Sequence, residues 1–123
     1  MTISLTSLIL DAADLESESS FWHGLLGGGP PTRTENHHFL RVDGFPVIVI
    51  QHAPGHVPPQ WPDGASQQLH FDLATDDAAA TDQRVLDSGG RRLRPATGVV
   101  ASAQPGSRVY ASPAGHPFCV RSA

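Results

Sequence analysis

The sequence predicts an α+β protein made of two tandem copies of a unit that runs strand, helix, then further strands. The first observation is an internal repeat, because a shift of 63 residues superimposes equivalent positions of strand, helix start and helix end: Leu10 on Leu73, Asp14 on Asp77, and Gly27 on Gly90. The second is the count of 12 Gly and 11 Pro, which indicates short elements joined by tight turns. Since the repeat is about half of the 123 residues and occurs twice, it is typical of a duplicated domain rather than of a solenoid.

The first half begins with a strand and a helix. Apolar and β-branched residues are concentrated in Ile3–Leu10, which predicts the first strand. Asp14 is placed as the N-cap of a helix, and Gly27–Gly29 with the following prolines end it. The apolar face of this helix is predicted to consist of Leu15, Trp22, Leu25 and Leu26.

A β-hairpin completes the first half. His37–Val42 and Val47–Gln51 are predicted strands, and Asp43-Gly44 between them is the short-range signature of a hairpin turn. The stretch 52–66 is rich in Pro and Gly and has no periodicity, so it is predicted to link the two halves. The chain is therefore interpreted as a single domain, 1–123, with module one at about 1–55 and module two at about 66–123.

The second half repeats this order. Gln68–Leu73 is a predicted strand with Gln68, His70 and Asp72 on one polar face. Thr75 or Asp76 is the expected cap of a second helix, which ends at Gly89-Gly90. Predicted strands follow at Arg91–Arg94, Val109–Ala111 and Phe118–Val120, and Ser112–Gly115 has the composition of a type I turn between the last two.

Composition excludes several function classes. All eight basic residues are Arg, so lysine Schiff-base chemistry and the lysine of a phosphate-binding P-loop are excluded. A net charge of −4 with scattered Arg argues against nucleic acid as a partner. One Cys forms no internal disulfide, and Met1–Leu10 has neither a basic leader nor a long apolar run, so a cytoplasmic protein without membrane partners is expected.

The end of the chain carries the most specific motif. Residues Ser112–Val120 read S-P-A-G-H-P-F-C-V, and His70 lies early in the first predicted strand of the second half. Together with paired βαβββ modules over Ile3–Val120, this pattern resembles the vicinal oxygen chelate superfamily, which contains glyoxalases, bleomycin resistance proteins and extradiol dioxygenases. The small glyoxalase-like group is the most similar branch. The resemblance implies curved mixed sheets that enclose a cleft, and a homodimer.

The resemblance also allows the family's metal positions to be checked one by one. His70 matches the expected ligand of the second module, whereas Ser7 stands where metal-dependent relatives have His and Cys119 where they have Glu. The fourth position falls on Ile48, Ile50 or Gln51, none of which is a carboxylate. No metal cofactor is therefore favoured. If a divalent or soft ion is bound, the expected ligands are His70, Gln51 and Cys119, since imidazole and thiolate suit Zn²⁺ or Cu⁺.

The predicted lining of the cleft contains Ser7, His37, His38, Gln51, His70 and Cys119. His37 and His38 are adjacent in a strand, so one faces the cleft and the other faces the helix or solvent. His70 is either a cleft residue or a half-buried His that is hydrogen-bonded to Asp72. Cys119 is flanked by apolar residues in a predicted strand, a position typical of a small buried hydrophobic residue.

Two further features each have two interpretations. Arg91, Arg92 and Arg94 either bind an anionic ligand group or protect a solvated edge strand. Trp61 in the Pro-rich stretch is either a loop anchor or a stacking surface for an aromatic ligand.

The favoured function is a glyoxalase-like protein that binds a small organic molecule in a degenerate, metal-free chelate site. The alternative is a divalent-metal-dependent lyase, isomerase or dioxygenase, in which the ion acts as a Lewis acid. The catalytic residue of such an enzyme is unknown, and His70 is the best candidate, as a ligand or general base. The fold itself selects none of these reactions.

Overall fold

The computed structural model describes residues 1–94 and 108–123, which form two compact units, Met1–His56 and Val57–Ala123. The boundary between the units lies inside the predicted linker. The elements of the first unit are β1 (Ser7–Ala12), α1 (Leu15–Leu26), β2 (Thr32–Arg33), β3 (His37–Leu40) and β4 (Val47–His52). Those of the second are β5 (Phe71–Thr75), α2 (Ala78–Asp87), β6 (Arg91–Arg94), β7 (Arg108–Ala111) and β8 (Pro117–Ser122).

Each unit contains a four-stranded mixed sheet with the same topology. The strand order is β1-β4-β3-β2 in the first unit and β5-β8-β7-β6 in the second. In both sheets the first strand runs parallel to the last one, and the remaining neighbours are antiparallel. The predicted α+β class with two tandem βαβββ modules is confirmed. The short β2 was not predicted, because two exposed residues carry no apolar pattern.

The predicted ends of α1 are confirmed. The Asp14 carboxylate accepts the backbone N–H of Ser17 at 3.1 Å, and Gly27 ends the helix with a φ of +81° that favours glycine. The predicted apolar face was only partly right, because Leu15 and Leu26 are half-buried and the fully buried apolar residues are Phe21 and Trp22. Two polar residues, Glu18 and Ser19, are also fully buried on this helix.

Both first strands begin later in the chain than predicted. β1 runs over Ser7–Ala12 rather than Ile3–Leu10, because each of its residues pairs with one residue of β4 and the six residues before it are exposed. β5 runs over Phe71–Thr75 rather than Gln68–Leu73, and its pairing with β8 starts opposite Phe118. The residue before Phe118 is Pro117, which has no N–H to extend the ladder. His70 therefore lies immediately before the strand.

The cap of α2 corrects the prediction of Thr75 or Asp76. Asp77 is the N-cap, and its carboxylate accepts the N–H of Ala80 at 3.0 Å. The hydroxyl of Thr75 accepts the N–H of Asp77 at 3.1 Å and thereby supports the cap from outside the helix. The 63-residue repeat places Asp77 at the position of Asp14, so the repeat identified the cap better than local composition did.

Both predicted hairpins are confirmed. β3 and β4 pair antiparallel around Gly44, whose φ is +84°, although β3 ends at Leu40 rather than Val42. In the turn between β7 and β8, the Gly115 N–H donates to the Ser112 carbonyl at 2.8 Å. Within the two described stretches, no helix is both long and apolar enough to cross a membrane.

Candidate functional site

The candidate site is a pocket of about 280 Å³ in the second unit, called here the second-unit pocket. Two of its residues, Val109 and Cys119, are paired neighbours on β7 and β8. Because side chains alternate across a strand, they lie on the sheet face opposite to Tyr110, whose hydroxyl contacts α2. The lining consists of Trp61, Gln67, His70, Arg94, Val109, Pro117, Phe118 and Cys119.

A cluster of three metal-ligating side chains lies at the edge of this pocket. One ligand atom from each of His70, Asp72 and Cys119 lies within 4.8 Å of the others. Asp72 and Cys119 are paired across β5 and β8, and His70 Nε2 is 3.5 Å from Asp72 Oδ1. The other carboxylate oxygen of Asp72 accepts Arg121 Nε at 3.2 Å. His70 therefore lines the pocket and also contacts Asp72, but it is exposed rather than half-buried.

Asp72 was not among the predicted site residues. The predicted third donor was Gln51, whose side chain contacts one residue on β1 and one on β3. Gln51 Nε2 donates to Asp11 Oδ1 at 3.4 Å, and Gln51 Oε1 is 3.4 Å from His37 Nε2. The His-x-Asp spacing on one strand face was the available signal for Asp72.

Trp61 and Arg94 form the opposite part of the lining. The Arg94 guanidinium lies over the indole of Trp61, with Cζ 4.9 Å from the ring centroid, which is a cation–π contact. Trp61 therefore anchors its loop on the pocket and also presents a ring to it.

The three arginines of β6 have different environments. Arg92 is turned toward α2 and binds the Asp82 carboxylate through Nε at 2.9 Å and Nη2 at 2.6 Å. Arg91 is exposed and absent from the pocket lining, whereas Arg94 belongs to it. Of the three predicted candidates for an anion contact, Arg94 is the one that lines the second-unit pocket.

In the first unit, the predicted cleft residues lie in different environments. His38 is buried, its Nδ1 is 2.8 Å from the Ser19 hydroxyl of α1, and it is not among the residues that line the second-unit pocket. Desolvation lowers the pKa of His38, which favours its neutral form. His37 lies on the opposite face with Gln51, as the alternation predicted for one of the pair. Ser7 lies on the same strand as Asp11, about 13 Å before it, so it does not join that polar pair.

A second, more open hollow of about 510 Å³ lies beside the start of α1 and is lined by Ala13, Asp14, Leu15, Glu16, Glu35, His38 and His52. Two of its acids already have structural partners. Asp14 caps the helix, and Glu16 binds Arg33 with a 2.9 Å ion pair that lowers the pKa of the Glu16 carboxyl. This hollow is therefore a weaker candidate than the second-unit pocket.

The sheet beneath the second-unit pocket is tied to α2 by a buried carboxylate. Asp82 accepts the Tyr110 hydroxyl at 2.9 Å in addition to its two bonds from Arg92. These donors hold the pKa of Asp82 below its ordinary value, while burial and Asp82 raise the pKa of Tyr110 far above its own. The Tyr110 ring stacks on Phe118 at 5.6 Å, so this network holds β7 and β8, which carry Val109 and Cys119 on their other face.

Gly115 positions the loop that carries Trp61. Its φ is +87°, and a Cβ at this position would lie 2.6 Å from Pro58 Cβ. Only glycine therefore permits the 57–61 stretch to approach the β7–β8 turn this closely.

We expect Gly115→Ala to lower the free energy of unfolding by about 1–3 kcal/mol and to shift the emission of Trp61, because both the backbone angle and the Pro58 contact become strained. Urea titration and tryptophan fluorescence measure these effects. Gly55→Ala is the matched control, since nothing lies within 4 Å of its Cβ position. An unchanged emission in Gly115→Ala would show that the turn does not position Trp61.

Comparison with known proteins adds family and fold information. Residues 7–121 match the family model described as a glyoxalase-like domain. A search of curated proteins gave no match.

Several solved structures share the fold. A glyoxalase-related enzyme from Fulvimarina pelagi has a TM-score of 0.69 and 20% identity, covering 98% of this chain and 88% of its own. The fosfomycin resistance protein FosX from Listeria monocytogenes has a TM-score of 0.72 and 13% identity, covering 100% and 93%. A glyoxalase/bleomycin resistance protein from Albidiferax ferrireducens has a TM-score of 0.64 and 16% identity, covering 96% and 97%.

Proposed function

Since this chain belongs to the glyoxalase-like domain family, we propose that it binds a small organic molecule in the second-unit pocket. The observation that carries this proposal is the composition of the lining. Trp61 offers a stacking surface, Arg94 a charged donor and His70 a hydrogen-bonding ring, while Val109 and Pro117 supply apolar walls. An apolar pocket with a few convergent polar groups is the usual form of a ligand site.

We further propose that this binding requires no metal. Among the family's four metal positions, Ser7 and Cys119 replace the residues that the resemblance leads one to expect, and Gln51 is engaged with His37 and Asp11. In the second unit, Asp72 is already paired with Arg121, whose charge opposes a nearby cation. His70 and Asp72 also remain about half exposed, so water competes for them.

The His70, Asp72 and Cys119 cluster favours a second candidate function, a metal-dependent lyase, isomerase or dioxygenase. The donors fit a zinc-type ion better than Mg²⁺ or Ca²⁺, because a thiolate and an imidazole are soft ligands and only one carboxylate is present. Such an ion would supply Lewis acidity toward a substrate oxygen. His70, Asp72 and Cys119 would hold it, and no catalytic base is assigned.

The binding proposal is tested with a thermal-shift screen of small neutral and acidic compounds, followed by calorimetry on each hit. A ligand specific for the native state raises the melting temperature. We expect Trp61→Ala to weaken binding about tenfold or more, as truncation of a buried aromatic contact usually does. Phe45→Ala, which truncates an exposed aromatic residue of the first unit, should leave binding unchanged. Hits that are insensitive to Trp61→Ala would place the ligand site elsewhere.

A separate measurement tests whether the protein binds a metal. Elemental analysis of protein purified without chelator should find no stoichiometric metal if the proposal is right. One equivalent of Zn²⁺ that is lost in His70→Ala would instead support the second candidate. Titration with Co²⁺ would then show a sulfur-to-metal charge-transfer band that Cys119→Ser abolishes.

A cytoplasmic location, expected from the single Cys and the composition of Met1–Leu10, and homodimerisation, expected from the family resemblance, stay proposals. Light scattering on the purified full chain measures the oligomeric state, and twice the mass of 13.0 kDa is the expected value.

A further inference from the structure

We propose that the ligand of the second-unit pocket is a small organic anion, a monocarboxylate with one ring or a short apolar body, and that Arg94 is the residue that selects it. This inference rests on the proposed binding function and adds the chemical class of the ligand. It depends on three features of the pocket: its charge, the exposed edge of the Arg94 guanidinium, and its size.

The charge of the lining is positive. Arg94 is its one arginine, and none of the described lining residues is Asp or Glu. Three of the other arginines in the described chain are neutralised by nearby carboxylates, in the pairs Arg33 with Glu16, Arg92 with Asp82, and Arg121 with Asp72. Within residues 1–94 and 108–123, Arg94 has no such carboxylate partner. Its charge is therefore available to a ligand.

The orientation of Arg94 favours a carboxylate over other groups. The indole of Trp61 covers one face of the guanidinium at 4.9 Å. Stacking on a face leaves the N–H groups at the edge of the plane free, and two parallel N–H groups match the two oxygens of a carboxylate. The Trp61 contact also restricts the long Arg94 side chain before binding, which reduces the entropy lost when a ligand is captured.

The volume of the pocket and its apolar lining indicate the size and polarity of the rest of the ligand. A volume of about 280 Å³ is at the low end of the range for small-molecule sites. Val109 and Pro117 present carbon surface, so the body of the ligand is apolar. Benzoate is small enough for this volume and combines an apolar ring with one carboxylate, so it is the probe for the test.

The test compares benzoate with benzamide, which has the same shape and no charge, by calorimetry on the full chain. We expect benzoate to bind the wild type at least about tenfold more tightly, because hydrogen bonds to charged groups are the stronger ones. Arg94→Leu should bring the two affinities within about twofold of each other. Arg94→Lys should also lose most of the preference, because an ammonium group does not form the bidentate pair.

Arg91→Leu is the matched control, since it removes the same charge from an exposed site on the same strand outside the pocket. It should keep the preference for benzoate. Equal affinities in the wild type, or a preference that survives Arg94→Leu, would overturn the inference while leaving the proposed function intact. Absence of benzoate binding at 10 mM, on the order of the weakest useful affinities, would overturn it as well. The proposed function fails separately, when the screen yields no Trp61-dependent ligand of any charge.

Discussion

Replacing Trp22 with alanine is expected to lower the free energy of unfolding by about 3–5 kcal/mol, the largest effect of any substitution considered. Trp22 is completely buried and packs edge-on against Phe21 at a centroid distance of 5.0 Å. Its Nε1 also donates to the buried Glu18 carboxylate at 2.9 Å. The substitution therefore creates a cavity and removes a donor from a buried charge. Urea titration followed by circular dichroism measures the loss.

Trp61→Ala is the matched control for this prediction. It removes the same side chain from a half-buried loop position of the second unit, where no helix depends on it. Its effect on unfolding should be less than half that of Trp22→Ala, although its effect on ligand binding is expected to be large. Equal losses of stability in the two variants would contradict the assignment of Trp22 to the core and Trp61 to the pocket.

Replacing Asp82 with alanine is the second large expected effect, a loss of about 2–4 kcal/mol. Asp82 is 5% exposed and receives three hydrogen bonds, two from Arg92 and one from Tyr110. Its removal leaves the buried Tyr110 hydroxyl without that acceptor and releases Arg92 from α2. Because Tyr110 stacks on Phe118, we also expect the affinity of the second-unit pocket for its ligands to fall. Urea titration at pH 7 measures the stability, and calorimetry measures the affinity.

Tyr110→Phe separates the parts of this network, because it keeps the Asp82–Arg92 pair and removes one donor. It should cost only about 1 kcal/mol. Acid provides a second readout. Since the pKa of Asp82 is lowered by folding, its contribution is complete above the ordinary value of 3.8 and is lost as the pH falls below it. The difference between the wild type and Asp82→Ala should therefore shrink below pH 3.8. A difference that is independent of pH would argue that Asp82 acts by packing alone.

Sequence reasoning predicted the order of the elements and their ends where the signals are local. The helix caps at Asp14 and Gly27, the hairpin turn at Gly44 and the turn at Gly115 follow from side-chain and backbone chemistry within four or five residues. The starts of β1 and β5 were predicted too early, because the beginning of a strand depends on the partner strand. β4 lies about 40 residues from β1 in the chain, and no local pattern reports where their pairing begins.

In the candidate site, too, the individual residues could be predicted locally, whereas their grouping depends on contacts between distant parts of the chain. His70 and Cys119 were predicted separately, and cross-strand pairing of β5 with β8 brings Asp72 to them. The sequence left both Trp61 and Arg94 with two interpretations. Their contact joins residues 33 positions apart through a loop that packs against Gly115. Because this packing is a long-range contact that no local pattern reports, neither residue was included in the predicted site.

The sequence by itself determined the duplicated βαβββ architecture and the family, because strand alternation, helix capping and turn chemistry act over a few residues and recur at a fixed spacing. Only the tertiary structure decided which side chains form the pocket. It turned His38 to α1, engaged Arg92 with Asp82 and placed Arg94 over the Trp61 ring. The physical reason is that strand register and loop packing join distant residues, and a shift of one residue along a strand moves a side chain to the opposite face.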